Sequence, residues 1–308
     1  MSIPAYFPFR SAAVRDSYFA YYDSLALKEW PLASEKRMLP TSYGETFVRI
    51  TGPADAPPLV LLAGAATTSL MWARNIQALS EACRTFAVDT VGDVGRTTCT
   101  KPIRRVNDLV VWLDELFDAL KLGDGINLVG VSYGGWLAGE YARHAPQRLS
   151  TVILLAPGNT VRRVSTQFII RMALAAIAPR RFLRPLALWM FRDQVRKHPD
   201  WLDPWLELTL NTMRSVDRRL PMPPVWTDAE WCAMSVPALF LVGEHETIYS
   251  PDKAVRRLKH VAPQVTAEII PGAGHDLTLA QADLVDRRIL EFVKQNAAAP
   301  KTSGTRAA

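Results

Sequence analysis

The stretch Ile126-Asn127-Leu128-Val129-Gly130-Val131-Ser132-Tyr133-Gly134-Gly135 decides the fold. An apolar run stops at a serine that has a glycine two residues to either side. Trp136 to His144 then reads as a helix. Strand, tight turn and helix around Gly-x-Ser-x-Gly form the pattern of a nucleophile elbow. Such a turn strains the serine backbone and projects the hydroxyl from the top of a sheet. Gly130 and Gly134 are needed because side chains there would collide across the turn. Gly135 lets the helix lie close to the strand. The start of the helix offers N–H groups and partial positive charge beside the hydroxyl. A glycine-rich turn with a solvated serine has the same letters, so the rest of the chain must decide.

Working outward, short apolar runs recur. Leu59–Leu62, Thr85–Asp89, Thr151–Leu155 and Ala238–Val242 read as buried strands, and Ala267–Ile270 as the last strand. Helical patterns alternate with them. One runs from Asn107 to Lys121, with Leu109, Leu113, Leu116, Phe117 and Leu120 on one face and Asn107 as its cap. Another follows Leu62, with Trp72, Ile76 and Leu79 on one face, and a third closes the chain from Leu279 to Lys294. An aromatic-rich helix from Ser11 to Trp30 and a strand from Thr46 to Thr51 precede this series. Alternating strands and helices require an α/β fold with a mostly parallel central sheet covered on both faces. Between Gly158 and Ser235 the rhythm changes to short amphipathic helices separated by prolines. The expected organisation is therefore a core of residues 1–157 and 236–296, an inserted helical cap of residues 158–235, and a disordered tail of residues 297–308.

Composition removes several function classes. The chain has 308 residues, 49% of them hydrophobic, and a net charge of +6. That suffices for a large core, and no dense Lys/Arg block speaks for nucleic acid. Arginines are plentiful in the inserted segment, namely Arg162, Arg163, Arg171, Arg180, Arg181, Arg184 and Arg192. The plain reading is a solvated face. The sharper readings are attraction of anionic substrates or contact with a membrane surface. Cys83, Cys99 and Cys232 are far apart, without metal-ligand spacing, and point to a reducing cytoplasm. No signal peptide or membrane span is expected.

A serine hydroxyl needs a base to take its proton, and the base needs a carboxylate to orient it. In a parallel sheet such groups gather at the C-terminal ends of strands. Ser132 follows one strand and His275 follows the last, after Pro271-Gly272-Ala273-Gly274. His245 is the reserve base. Glu246, three residues beyond Gly243, is the preferred acid, with Glu244, Asp252 and Asp276 as neighbours to weigh. Small residues after Leu62, Ala63-Gly64-Ala65-Ala66-Thr67-Thr68, offer backbone N–H groups to a ligand. The N–H groups of Ala65 and Tyr133 are the expected oxyanion donors. Asp89 and Asp93 are expected to fix loop geometry.

The chain resembles the α/β-hydrolases over nearly its whole length, and among them the bacterial carboxylesterases of the naproxen-esterase type. The likeness lies in Pro40-Thr41-Ser42-Tyr43-Gly44, Met71-Trp72-Ala73-Arg74-Asn75-Ile76, Phe86-Ala87-Val88-Asp89-Thr90-Val91-Gly92-Asp93 and Gly243-Glu244-His245-Glu246-Thr247-Ile248-Tyr249. These esterases resemble the chain in carrying glutamate as the acid, which supports Glu246. Many relatives have His-Gly before the oxyanion turn, where this chain has Ala63-Gly64. The resemblance implies a serine hydrolase that cleaves small carboxylic esters through an acyl-enzyme, with no metal or organic cofactor. A carbon–carbon bond hydrolase on the same fold and a ligand-binding homologue without turnover are the alternatives.

Overall fold

The computed structural model describes residues 3–177, 183–203, 212, 215–217 and 219–297. Eight strands form one sheet in the order β1-β2-β4-β3-β5-β6-β7-β8. They span Glu35–Thr41, Gly44–Thr51, Pro58–Leu62, Arg84–Val88, Ile126–Val131, Leu149–Leu155, Ala238–Gly243 and Val265–Ile270, β1 to β8 in chain order. β2 pairs antiparallel with β1 and β4, and every other pairing is parallel. The architecture is that of the α/β-hydrolases.

The parallel strands are buried on both faces, which explains their unbroken apolar runs. Alternate side chains go to opposite sides. Val60 and Leu62 enter a core with Trp112, Trp136 and Tyr141, whereas Leu59 and Leu61 enter another with Tyr22, Trp72 and Ile289. Helices α1 (Ala12–Glu29), α3 (Val106–Ala119) and α4 (Tyr133–His144) supply Tyr22, Trp112, Trp136 and Tyr141, and α2 (Ile76–Ala82) adds the aliphatic Ile76 and Leu79. Each such side chain contributes about 1.5–3 kcal/mol relative to exposure.

Several boundaries differ from the sequence reading. β1 was not expected, because most of its residues face solvent on an antiparallel edge and include Pro40. Helix α3 begins one residue before Asn107, and Asn107 is not its cap. The carboxylate of Asp108 instead accepts the backbone N–H groups of Arg104 and Arg105, at 2.8 and 2.9 Å. The helix expected after Leu62 is split into a short 3₁₀ turn, Ser69–Trp72, and α2.

After β6 the described residues contain no strand of the main sheet until β7. Helices α5 (Thr166–Ile177), α6 (Leu183–Met190), α7 (Arg192–Lys197) and α8 (Asp228–Cys232) lie in this interval. Arg180, Arg181, Trp205, Leu206 and Leu210 lie outside the described residues. Trp226 brings the chain back onto the elbow helix, donating from Nε1 to Glu140 at 2.6 Å. The sheet then resumes with β7, α9 (Pro251–Val261) and β8, followed by α10 (Leu277–Ala280) and α11 (Ala282–Ala297). Ala297 thus belongs to the closing helix, and residues 298–308 lie outside the described chain.

Candidate active site

Ser132 occupies the turn between β5 and α4 with φ of +53°. That left-handed conformation is unusual for a residue with a side chain and is held by its surroundings. Its N–H donates to the Leu155 carbonyl at 2.9 Å, and its carbonyl accepts from Gly158 and Trp136 at 3.0 Å. Gly130 is indispensable here: a Cβ on it would stand 2.0 Å from the Gly134 carbonyl oxygen. The elbow expected from the sequence is present.

The loop after β3 lies against the serine. A Cβ on Gly64 would come within 3.5 Å of the Ser132 Cβ. Three of its four consecutive N–H groups are occupied. Gly64 donates to the Met71 sulfur at 3.2 Å, Ala66 to Asp93 at 3.1 Å, and Thr67 to the Gly64 carbonyl at 3.3 Å. The N–H of Ala65 has no protein acceptor among the described residues. Asp93 therefore shapes this loop directly. Asp89, fully buried, does the same beside it, accepting from Ser69 at 2.7 Å and Arg96 at 2.9 Å. Burial raises its pKa above the ordinary carboxylate value.

Glu246 and His275 meet. His275 Nδ1 lies 2.8 Å from Glu246 Oε2, and both side chains are buried. The other Glu246 oxygen accepts from the N–H of Ile248 at 2.8 Å. Their loops are locked together. The N–H of His245 donates to the Ala273 carbonyl at 2.8 Å, and a Cβ on Gly243 would strike the Gly274 oxygen at 2.2 Å. Burial would lower the pKa of His275, but the charge of Glu246 and its hydrogen bond, with the charge of Asp276, outweigh this and raise it.

The alternative residues are engaged elsewhere. His245 Nδ1 pairs with Asp193 of α7 at 2.8 Å. Glu244 accepts from Gly272 at 2.9 Å. Asp276 does not reach its neighbour's ring through a hydrogen bond; its oxygens accept from Gly274 and from Gln194 of α7, both at 2.9 Å. His144, His198 and His260 are exposed. Sequence reasoning missed Asp193 and the pair Asn75–Asp286. Asn75 donates to Asp286 at 2.8 Å and to the Thr278 carbonyl at 3.1 Å. This ties the start of α2 to the helix that follows His275. No local pattern signals a contact between residues so far apart in the chain.

Ser132, Glu246 and His275 thus leave the C-terminal ends of β5, β7 and β8, which run parallel in one sheet. Comparison with known proteins identifies the family to which this fold belongs. Residues 59–288 match the model of the alpha/beta hydrolase family. The uncharacterized carboxylesterase nap of Bacillus subtilis is 34% identical over 281 residues, covering 89% of this chain and 91% of its own. Carboxylesterase YbfK of the same organism is 31% identical, covering 90% and 93%. The crystal structure of naproxen esterase (carboxylesterase NP) from Bacillus subtilis superposes with a TM-score of 0.83 at 30% identity, covering 92% of this chain and 99% of that one. On sequence and structure alike, the chain belongs to the alpha/beta hydrolase family and is carboxylesterase-like within it.

Proposed function

We propose that the protein hydrolyses carboxylic esters of small molecules with Ser132 as nucleophile, His275 as base and Glu246 as the acid that orients it. The observation that carries this reading is the buried 2.8 Å contact between Glu246 and His275 Nδ1, at the same sheet edge as a strained serine. With Nδ1 held by the carboxylate, Nε2 is the nitrogen that accepts the serine proton. Ser132 Oγ bonds to the ester carbonyl carbon, and the carbonyl electron pair moves onto oxygen. The N–H groups of Ala65 and Tyr133 hold that oxyanion; Ala65 has the donor left unused in its loop, and Tyr133 begins α4. Collapse breaks the carbon–oxygen bond to the alcohol, which takes the proton from His275. Water then attacks the acyl-enzyme and gives a proton to His275; the bond from the acyl carbon to Ser132 Oγ breaks, Oγ takes that proton back, and the carboxylic acid leaves. No step calls for a metal or organic cofactor.

The division of the chain follows from the same reading. The described residues of 1–157 and 236–296 form the hydrolase core, and those of 158–235 form a helical cap beside the acid and histidine loops. Three contacts favour this. Ser165 donates to the Ile248 carbonyl beside the acid loop at 2.6 Å, and the Asp193–His245 and Gln194–Asp276 contacts fasten α7 to the acid and histidine loops.

The test is hydrolysis of short p-nitrophenyl esters. Ser132→Ala should lower kcat/KM by about 10⁴-fold or more with the thermal transition unchanged. Equal rates would remove the serine from the mechanism.

A further inference from the structure

Between Asn159 and Arg192 the chain carries seven arginines and not one aspartate or glutamate. The net charge of the whole protein is +6, so the excess positive charge resides in this interval and the remainder is close to neutral. The same interval holds much of the exposed bulky apolar surface. On α5, Ile169, Ile170 and Leu174 are 53%, 54% and 58% exposed, and Leu188 on α6 is 40% exposed. Phe168, by contrast, packs against the core. At helical spacing Ile169, Ile170, Ala173 and Leu174 share the face opposite Phe168. Arg171 stacks over Trp189 at 4.6 Å and joins α5 to α6. Arg162 and Arg163, just before α5, are exposed and make no ion pair among the described residues.

We propose that α5 and α6 dock the protein on a bilayer surface that carries anionic lipid headgroups. A helix with large apolar residues on one exposed face and cations beside it lies in the interfacial plane of a membrane. Arg184 is paired with Asp203 and Arg192 lies beside Asp193, but Arg162, Arg163 and Arg171 have no acid partner among the described residues, and their positive charge selects a negatively charged surface. Among the described residues no helix is long and apolar enough to cross a membrane, so the contact is peripheral. The placement also has a consequence for substrate supply. Ser165, one residue before α5, is bonded to Ile248, and a Cβ on Gly274 would lie 3.4 Å from the carbonyl of Met190, the last residue of α6. The two helices therefore begin at the acid loop and end at the histidine loop. If the serine chemistry proposed above holds, esters dissolved in the bilayer are delivered at the mouth of the site.

Co-sedimentation tests the docking without reference to catalysis. The full chain is mixed with vesicles of phosphatidylcholine alone, or of phosphatidylcholine with about one-third phosphatidylglycerol, at about 50 mM and about 500 mM salt. The expected result is partitioning onto the anionic vesicles, weaker at high salt and absent on neutral ones. Arg162→Glu with Arg163→Glu should weaken it about tenfold or more, and Ile169→Ser with Ile170→Ser should weaken it separately. Both variants should keep wild-type turnover of soluble p-nitrophenyl esters, which also confirms folding. Three results would overturn the proposal. One is no binding to anionic vesicles, and another is equal binding to both lipid mixtures. The third is a wild-type dimer that the Ile169→Ser, Ile170→Ser variant dissociates, which would assign the face to a second copy.

Discussion

The loops at the C-terminal edge of the sheet and the helices that follow β6 are built in opposite ways. In the loops, nearly every backbone donor is spoken for. Asp93 holds Ala66, Asp89 holds Ser69 and Arg96, Glu246 holds Ile248, and Asp276 holds Gly274. The carboxylates that do this are buried, and low dielectric strengthens each bond while making any unpaired group costly. In α5 and α6, large apolar side chains stand in solvent, Arg184 pairs with Asp203, and Arg171 has no acid beside it among the described residues. The difference separates two tasks. A site that must hold a proton acceptor within hydrogen-bond reach requires preorganisation by many fixed donors. A surface that meets a deformable partner requires exposed apolar area and charge, not rigidity.

The largest expected effect comes from breaking the fixed side. Glu246→Gln keeps the size of the side chain but removes the charge beside His275. Ester turnover should fall by about 10³–10⁴-fold. The pH profile sharpens the test. Activity is lost as pH falls and His275 takes a proton, so the acid limb of kcat/KM reports its pKa. In the wild type the limb should lie above the ordinary value of about 6.5, because Glu246 favours the protonated ring. In Glu246→Gln burial no longer meets that opposition, and the limb should move to lower pH. A limb at the same pH in both proteins would dissociate Glu246 from the histidine.

A smaller effect tests a carboxylate in the supporting layer. Burial lifts the pKa of Asp286 to about 7. A carboxyl group raised in the folded state favours folding while protonated. Its contribution is full below the unfolded value of about 3.9 and is lost as pH rises through about 7. Asp286→Asn keeps an acceptor for Asn75 and cannot ionise. The variant should therefore lose less stability between pH ~4 and ~8 than the wild type, by on the order of 2–4 kcal/mol. Denaturant unfolding at the two pH values measures this, and identical slopes would argue against an ionising buried Asp286.

The smallest effect is expected on the exposed side. Ile170→Ser should change unfolding free energy by about 0.5 kcal/mol or less, because the side chain already faces water. A loss of about 2 kcal/mol or more would show that α5 buries this face in solution.

How much of this was legible in the sequence follows from the same contrast. Strands buried on both faces announce themselves as apolar runs, and β3, β5, β6 and β7 were read correctly from Leu59–Leu62 and its counterparts. The elbow was legible because the backbone approach of Gly130 to Gly134 admits only glycine. The contact of Glu246 with His275 was legible only through the order of strands and the resemblance to known esterases. β1 was hidden because an exposed antiparallel edge leaves no apolar alternation. The start of α3 was misread because the carboxylate that fixes it lies inside the helix: Asp108 reaches back to the N–H groups of Arg104 and Arg105, ahead of the first turn. Asp193–His245 and Asn75–Asp286 were invisible, since a hydrogen bond between distant residues leaves no local pattern.

The central claim is that Ser132 is made reactive by His275. Its most direct test is covalent labelling with a fluorophosphonate, read by intact mass and peptide mapping. The account predicts one adduct per chain, on Ser132, and loss of labelling in His275→Ala. An adduct on another residue, or labelling of Ser132 at an unchanged rate without the imidazole, would contradict it.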